Sequence, residues 1–403
     1  MITVIGGVYR ERCMRPVWDD VYGSAGRAAT AIARFGGQAE LVSCVDTDTK
    51  AVIEARAIHE NFNFSPSITD KNIAFEYIHG LSTPEIRGDI EMKVEISTTS
   101  SKVLRFGMVE GTAVVDADYA VFDPQNAKGV ESFRANGSKA NHLALVLNQY
   151  EANRLISNPE NKSIENIIIE LAKSENAEVV VIKRGPLGAL VFDNGKITSV
   201  PAYRTKRIWK IGSGDTFAAH FALCWMDNGL TAHEAALQAS IATAFYCENQ
   251  GFPDPHLLSL FKPKSLTPSE RFKKGYKPIV YLAGPFFSLA ELWMVGQARR
   301  DLQSMGLNVF SPYHDVGIGT ADEVVEKDLE GVKDCDVLFA IGDGLDSGTI
   351  YEIGYARALN KPVVFYAENE SEQDKKMMEG SDCVITDDYV SGIYQIVWEA
   401  VEL

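Results

Sequence analysis

Short apolar runs and helical periods alternate along most of this chain. Up to residue 260, the runs 2–8, 41–45, 120–122, 143–147, 179–183 and 189–192 predict strands. Apolar residues spaced by three or four over 25–35, 50–60, 164–174, 216–226 and 232–248 predict helices. The alternation predicts a mostly parallel sheet covered by helices. Residues 62–105 differ. Phe75-Glu76-Tyr77-Ile78 and Glu91-Met92-Lys93-Val94-Glu95-Ile96 alternate between turn residues, the pattern of antiparallel strands forming a lid or edge over a pocket.

The pattern breaks at Phe252. Pro253, Pro255, Pro263 and Pro268 interrupt any helix, and Lys262, Lys264, Arg271, Lys273, Lys274 and Lys277 make a basic run. Residues 256–277 therefore read as an exposed linker between 1–255 and 278–403. From Ile279 a fresh alternation begins, with strands expected at 279–283, 308–310, 337–341, 363–366 and 383–385. Helices are expected at 289–304, 321–332, 349–359 and 391–401, which makes a small doubly wound domain.

At 403 residues the chain is too long for one ordinary core, so two domains are expected. A net charge of −16 removes any broad electrostatic attraction to nucleic acid or anionic membrane. The six cysteines are scattered without a CxxC pair, so neither a zinc site nor a disulfide framework is expected. No metal site is expected from the residue pattern. The chain opens on an apolar strand without a basic leader, and no apolar run approaches membrane-spanning length. A cytoplasmic location follows as the expectation.

Candidate chemistry concentrates past the strand expected at 337–341, where Asp343, Asp346, Ser347, Gly348 and Glu352 lie in a loop and the first turn of a helix. Ligands of open parallel sheets bind just there. A carboxylate at that point can trap an oxocarbenium-like sugar as a glycosyl ester, while a second orients the sugar hydroxyls. A competing reading is local: Thr349 to Glu352 also has the spacing of a capping box.

Asp-Ser-Gly-Thr-x-x-Glu-x-Gly-x-Ala from Asp346, then Lys361-Pro362-Val363, with Tyr281-Leu282-Ala283-Gly284-Pro285-Phe286 upstream, resembles the nucleoside 2-deoxyribosyltransferase family from about Lys277 onward. The resemblance implies Glu352 as nucleophile and Asp346, with Ser347 and Gly348, as part of the nucleoside site. Tyr281 and Gly284 match the opening strand and loop. Phe286 and Phe287 could stack a base or belong to a core or interface. Asp328 either pairs with the departing base, by analogy, or is a surface charge, and His314 next to Asp315 reads as structural. The asparagine that relatives carry before an apolar pair is absent, since Asp374-Lys375-Lys376 precedes Met377-Met378; this favours hydrolysis over base exchange.

A second constellation stands in the first half. Gly212, Ser213, Gly214 and Asp215 open a helix where backbone amides can meet a phosphate, and an aspartate there can accept a hydroxyl proton. The other reading is an ordinary glycine turn with an acidic first helical turn. The segment is similar to the closing signature of the ribokinase/PfkB kinases. Tyr22-Gly23-Ser24-Ala25-Gly26, Asn148-Gln149-Tyr150-Glu151 and Lys183-Arg184-Gly185-Pro186-Leu187-Gly188 agree with other parts of that family. The resemblance implies Asp215 as base, ATP and Mg²⁺ as cofactors of this half, and Asn148, Glu151 and Gly185 on the magnesium and nucleotide side. Trp209-Lys210-Ile211 stand where the family has Asp-Thr, and Arg27 replaces an asparagine that binds sugar.

The expected fold class is α/β: a ribokinase-like parallel sheet with a small β lid, then a flavodoxin-like five-stranded doubly wound domain. The expected function is cleavage or exchange of the N-glycosidic bond of a (deoxy)nucleoside or its 5′-monophosphate, coupled to a sugar or nucleoside kinase domain. The alternatives are a kinase with a nucleotide-sensing C-terminal domain, or a binding protein with a degenerate kinase half. A small nucleoside, nucleotide or sugar is the expected partner, with self-association into a homo-oligomer implied by both resemblances.

Overall fold

The computed structural model describes every residue except 71–72, 89–93 and 126–128. The chain divides into two compact units, one of Met1–Thr205 and Trp209–Ser265, the other of Lys206–Ile208 and Leu266–Leu403.

A nine-stranded sheet spans the first unit in the order Lys196–Val200, Ala189–Asp193, Val179–Lys183, Lys139–Asn148, Gly111–Asp123, Val94–Phe106, Ile2–Ile5, Ala39–Val45, Asn63–Ile68. Ala189–Asp193 pairs antiparallel with both of its neighbours; all other neighbours pair parallel. Side chains alternate across the pleat, so Ile2 and Val4 join the core cluster that includes residues of helices Gly23–Arg34, Ser213–Ala222 and Ala232–Asn249. Ile5 and Val103 join the opposite cluster, with residues of helix Ile164–Ser174. Gly23–Arg34 carries mostly glycine, alanine and other small residues, which lets it lie close to its neighbours.

Strands Val94–Phe106 and Gly111–Asp123 are parallel neighbours joined by only four residues. A link of that length cannot cross back along straight thirteen-residue strands, which would need roughly 40 Å. The pair is instead doubled over, and its ladder skips Ser101 and Asp118. The Ser138 hydroxyl oxygen touches both arms: it accepts from the Arg105 guanidinium (3.1 Å) on one and from the Val115 amide (3.1 Å) on the other. Ile96, Ala113, Val115 and Ala117 thereby enter the same cluster as Val103 and Phe122.

A separate four-stranded sheet runs Trp18–Val21, Arg10–Arg15, Ala74–His79, Glu85–Arg87. This is the small β lid, with two corrections. Its central pair, Arg10–Arg15 with Ala74–His79, is parallel, and the flanking pairs are antiparallel. The second segment expected here belongs to the large sheet, since Val94 begins the strand Val94–Phe106; Glu91, Met92 and Lys93 lie outside the described residues. The stretch expected as a linker contains the short helices Pro255–Leu260, which uses Pro255 at its first turn, and Glu270–Lys273.

The second unit is a five-stranded, all-parallel sheet in the order Asn308–Phe310, Ile279–Ala283, Val337–Ile341, Val363–Tyr366, Val384–Thr386. Strand order reverses between Ile279–Ala283 and Val337–Ile341, the switch point where such sheets open a crevice. Among the described residues no helix is long and apolar enough to cross a membrane.

Candidate active site

Tyr281 sits in the strand on one side of the switch point, and Glu352 lies on the helix Ser347–Ala358 that follows the other. Their side chains meet: the fully buried Tyr281 donates its hydroxyl proton to Glu352 Oε1 at 2.6 Å. The helix start is capped by another residue. Asp346 Oδ2 accepts from the Thr349 amide (2.8 Å) and hydroxyl (3.0 Å), which leaves Glu352 out of the cap. The Thr349–Glu352 capping box is therefore not formed.

Burial lifts the Glu352 carboxyl to about 7; the charges of Asp328 and Asp346 push the same way, and the Tyr281 bond opposes them. Burial also raises the Asp328 carboxyl, whose Oδ1 is buried without a hydrogen-bond partner among the described residues. The structure thus brings Glu352, Tyr281, Asp328 and Asp346 into one electrostatic group. Gly284 follows the Tyr281 strand where a Cβ would stand 3.1 Å from the Ile341 Cβ. Phe286 packs against Tyr313 with ring centroids 5.5 Å apart, and Phe287 beside it is 75% exposed. Ser347 and Gly348 lie exposed in the first turn of the helix. His314 faces the Ser311 hydroxyl and the Tyr313 ring, a local contact in its own turn.

In the first unit, Gly212 adopts a left-handed conformation (φ +76°) that starts the helix Ser213–Ala222. Directly under it lies Arg27, with no exposed surface; a Cβ on Gly212 would fall 2.0 Å from Arg27 Nε. The guanidinium reaches Glu11 Oε2 at 2.5 Å, Asp215 Oδ2 at 2.8 Å and the Tyr246 hydroxyl at 3.1 Å. Gln125 Nε2 donates to the remaining Asp215 oxygen at 2.8 Å. Asp215, Glu11, Gly212, Gly214, Lys210 and Tyr9 belong to the wall of a cavity of about 580 Å³, which the lid residues Phe75, Tyr77 and Ile86 help to line.

Asn148, Glu151 and Gly185 are not among the residues lining that cavity. Asn148 and Glu151 bond each other as a reciprocal cap, Asn148 Oδ1 accepting from the Glu151 amide and Glu151 Oε2 from the Asn148 amide. Gly185 (φ +56°) opens a single turn, Gly185–Leu187. Lys183 bonds the buried Asp123 at 2.5 Å. Burial raises Asp123 to about 7, and Lys183 offsets part of that rise. Sequence reasoning missed Glu11, Asp123 and Gln125. A signal existed for the first: an arginine amid alanines and glycines must be buried, and a buried cation requires acids.

Comparison with known proteins divides the chain in the same sense. Residues 117–255 match the model of the pfkB family of carbohydrate kinases, and residues 280–380 match that of the nucleoside 2-deoxyribosyltransferases. A pfkB-type segment is followed by a deoxyribosyltransferase-type segment. No curated protein sequence matches the chain. Among solved structures, a fructokinase double mutant from Vibrio cholerae O395, with fructose, ADP and potassium bound, aligns at TM-score 0.50 and 17% identity, covering 64% of this chain and 97% of that one. Ribokinase from Thermotoga maritima gives 0.47 and 16%, covering 64% and 98%. A nucleoside kinase from Methanocaldococcus jannaschii gives 0.47 and 15%, covering 64% and 96%. The fructokinase likeness places the pfkB-type segment in the ribokinase fold.

Proposed function

We propose that the deoxyribosyltransferase-type unit breaks the N-glycosidic bond of a (deoxy)nucleoside or its 5′-monophosphate, with Glu352 as nucleophile. The observation that carries this reading is the 2.6 Å bond from Tyr281 to Glu352. It turns the carboxylate away from its own helix cap and fixes it at the switch point of the sheet.

Tyr281 holds Oε1, so Oε2 is the oxygen that attacks C1′. The C1′–N bond breaks as the C1′–O bond forms, and the bonding pair leaves with the base. Asp328, its carboxyl raised by burial, supplies the proton that the departing base nitrogen takes up. Asp346 Oδ1 is the oxygen left to orient a sugar hydroxyl, since Oδ2 caps the helix. Water, activated by the carboxylate that has just given up its proton, then attacks C1′ and frees Glu352. Hydrolysis is favoured over exchange because the helix Glu372–Gly380 presents Asp374, Lys375 and Lys376 where relatives use an asparagine toward the incoming base.

The test is incubation of the whole protein with a panel of nucleosides and 5′-monophosphates, reading free base and sugar by mass. Base release that Glu352→Ala abolishes, with the circular dichroism spectrum unchanged, is the expected result. Unaltered turnover in that variant sinks the assignment.

A further inference from the structure

In the pfkB-type unit the candidate base is already bonded on both of its oxygens and tied to a buried cation. A general base must be able to reach a substrate hydroxyl. Asp215 already accepts from Arg27 on one oxygen and from Gln125 on the other, at 2.8 Å each. Arg27 has nowhere else to go. It is completely buried, it bridges two carboxylates, and Glu11, only 6% exposed, shares its charge. Swinging Arg27 away would leave two buried acids without a counter-ion. On the metal side, Asn148 and Glu151 are engaged with each other.

The cavity nevertheless persists, roofed by aromatic lid residues. One charged group on its wall makes no direct ion pair among the described residues. Lys210 donates to the Ser213 hydroxyl at 2.8 Å, and among the described residues its ammonium pairs with no carboxylate. Burial, with the nearby Lys183 charge, holds it below the usual lysine range, against the opposing pull of Cys247 and Asp215. A desolvated ammonium facing a cavity is stabilised by an anion arriving from outside. Ser213 and Gly214 lie beside it at the positive end of the helix Ser213–Ala222, which favours the same sign of charge. Tyr9, Phe75 and Tyr77 supply flat surface for the rest of a ligand, and the volume suits a small molecule.

We propose that this cavity binds a small phosphate monoester, its phosphate held by Lys210 and Ser213 and its body against Tyr9, Phe75 and Tyr77, and that it holds the ligand without transferring phosphate through Asp215. The ribokinase scaffold here is a receptor for an already phosphorylated sugar or nucleoside.

Calorimetric titration of the full-length Glu352→Gln chain tests this independently of the glycosidic chemistry. The probe is ribose 5-phosphate against ribose, neither of which carries a base for the deoxyribosyltransferase-type unit to recognise. The expected result is at least tenfold tighter binding of the phosphorylated probe than of its parent. That preference is lost in Lys210→Met and binding of the probe is lost in Tyr77→Trp, which fills the cavity. Ser213→Ala, a smaller change, weakens the preference and serves if Lys210→Met fails to fold. Parallel incubations with ATP and Mg²⁺ are expected to yield no phosphorylated sugar or nucleoside. Equal affinity for parent and monoester, or a preference that survives Lys210→Met, overturns the proposal. So does ATP-dependent phosphorylation that Asp215→Asn removes.

Discussion

The Tyr281 hydroxyl lies 2.6 Å from Glu352 Oε1 and draws that carboxylate out of its helix cap onto the neighbouring strand. The bond stabilises the ionised form of Glu352, against the burial that favours the protonated one.

Removing the hydroxyl alone tests the first consequence. In Tyr281→Phe the Glu352 carboxyl should titrate higher, because the contribution that lowers it is gone. A hydrogen bond to a charged group is worth about 1.5–3 kcal/mol, or about one to two pH units. The acidic limb of kcat/KM for base release, expected near pH 7 in the parent, should move up by that amount. A limb that stays in place would show that Tyr281 does not hold the ionised nucleophile.

Asp328, when ionised, pushes Glu352 in the opposite sense as a like charge; when protonated it can serve as the proton donor. Asp328→Asn should slow base release by about 10²–10⁴, the usual cost of losing a general acid. The loss should shrink for nucleosides whose base leaves readily without a proton. An equal loss for good and poor leaving groups would exclude proton donation by this residue.

Glu352 also makes a stability prediction. Its carboxyl is raised from 4.5 to about 7, so the fold favours the protonated form. That contribution is complete below about pH 4.5 and is lost as pH rises through 7. Glu352→Gln, which keeps an oxygen for Tyr281, should raise stability at pH 8 by about 1–3 kcal/mol and change it little at pH 4.5. Urea unfolding at the two pH values measures the difference; equal effects at both would contradict it.

Arg27 carries the corresponding prediction for the first unit. Arg27→Met should destabilise it by about 3–5 kcal/mol by leaving Glu11 and Asp215 buried without a cation. Adding Glu11→Gln should recover part of the loss, as a thermal melt would report. Arg27→Lys should fall between, since a point charge cannot fork to both acids.

Much of the second unit was legible in its sequence. The strands Ile279–Ala283, Asn308–Phe310, Val337–Ile341 and Val363–Tyr366 fall on the short apolar runs expected to form them. The helix Glu372–Gly380 was not foreseen, since its residues are mostly polar and only Met378 is buried. Nor was Arg10–Arg15, whose arginines and glutamate give no strand period; its pairing with Ala74–His79, far along the chain, makes it a strand. The same distance hid the charged cluster. Arg27 stood out as a departure from the kinase pattern, but its contact with Asp215, 188 residues away, follows only from the folded sheet. At Glu352, sequence left cap and nucleophile both open, because the spacing suits either; the choice of Asp346 as cap is a matter of loop geometry, where Leu345 turns left-handed at φ +47°.

The doubled-over pair Val94–Phe106 and Gly111–Asp123 bears on how the large sheet assembles. Most parallel neighbours must wait for a distant segment to arrive, and the entropy of closing that loop slows them. Here the partners are seventeen positions apart in register, as Val94 with Gly111, so this ladder forms from one contiguous stretch. The sheet's own middle can serve as its template, onto which Ile2–Ile5 and Lys139–Asn148 add from either side.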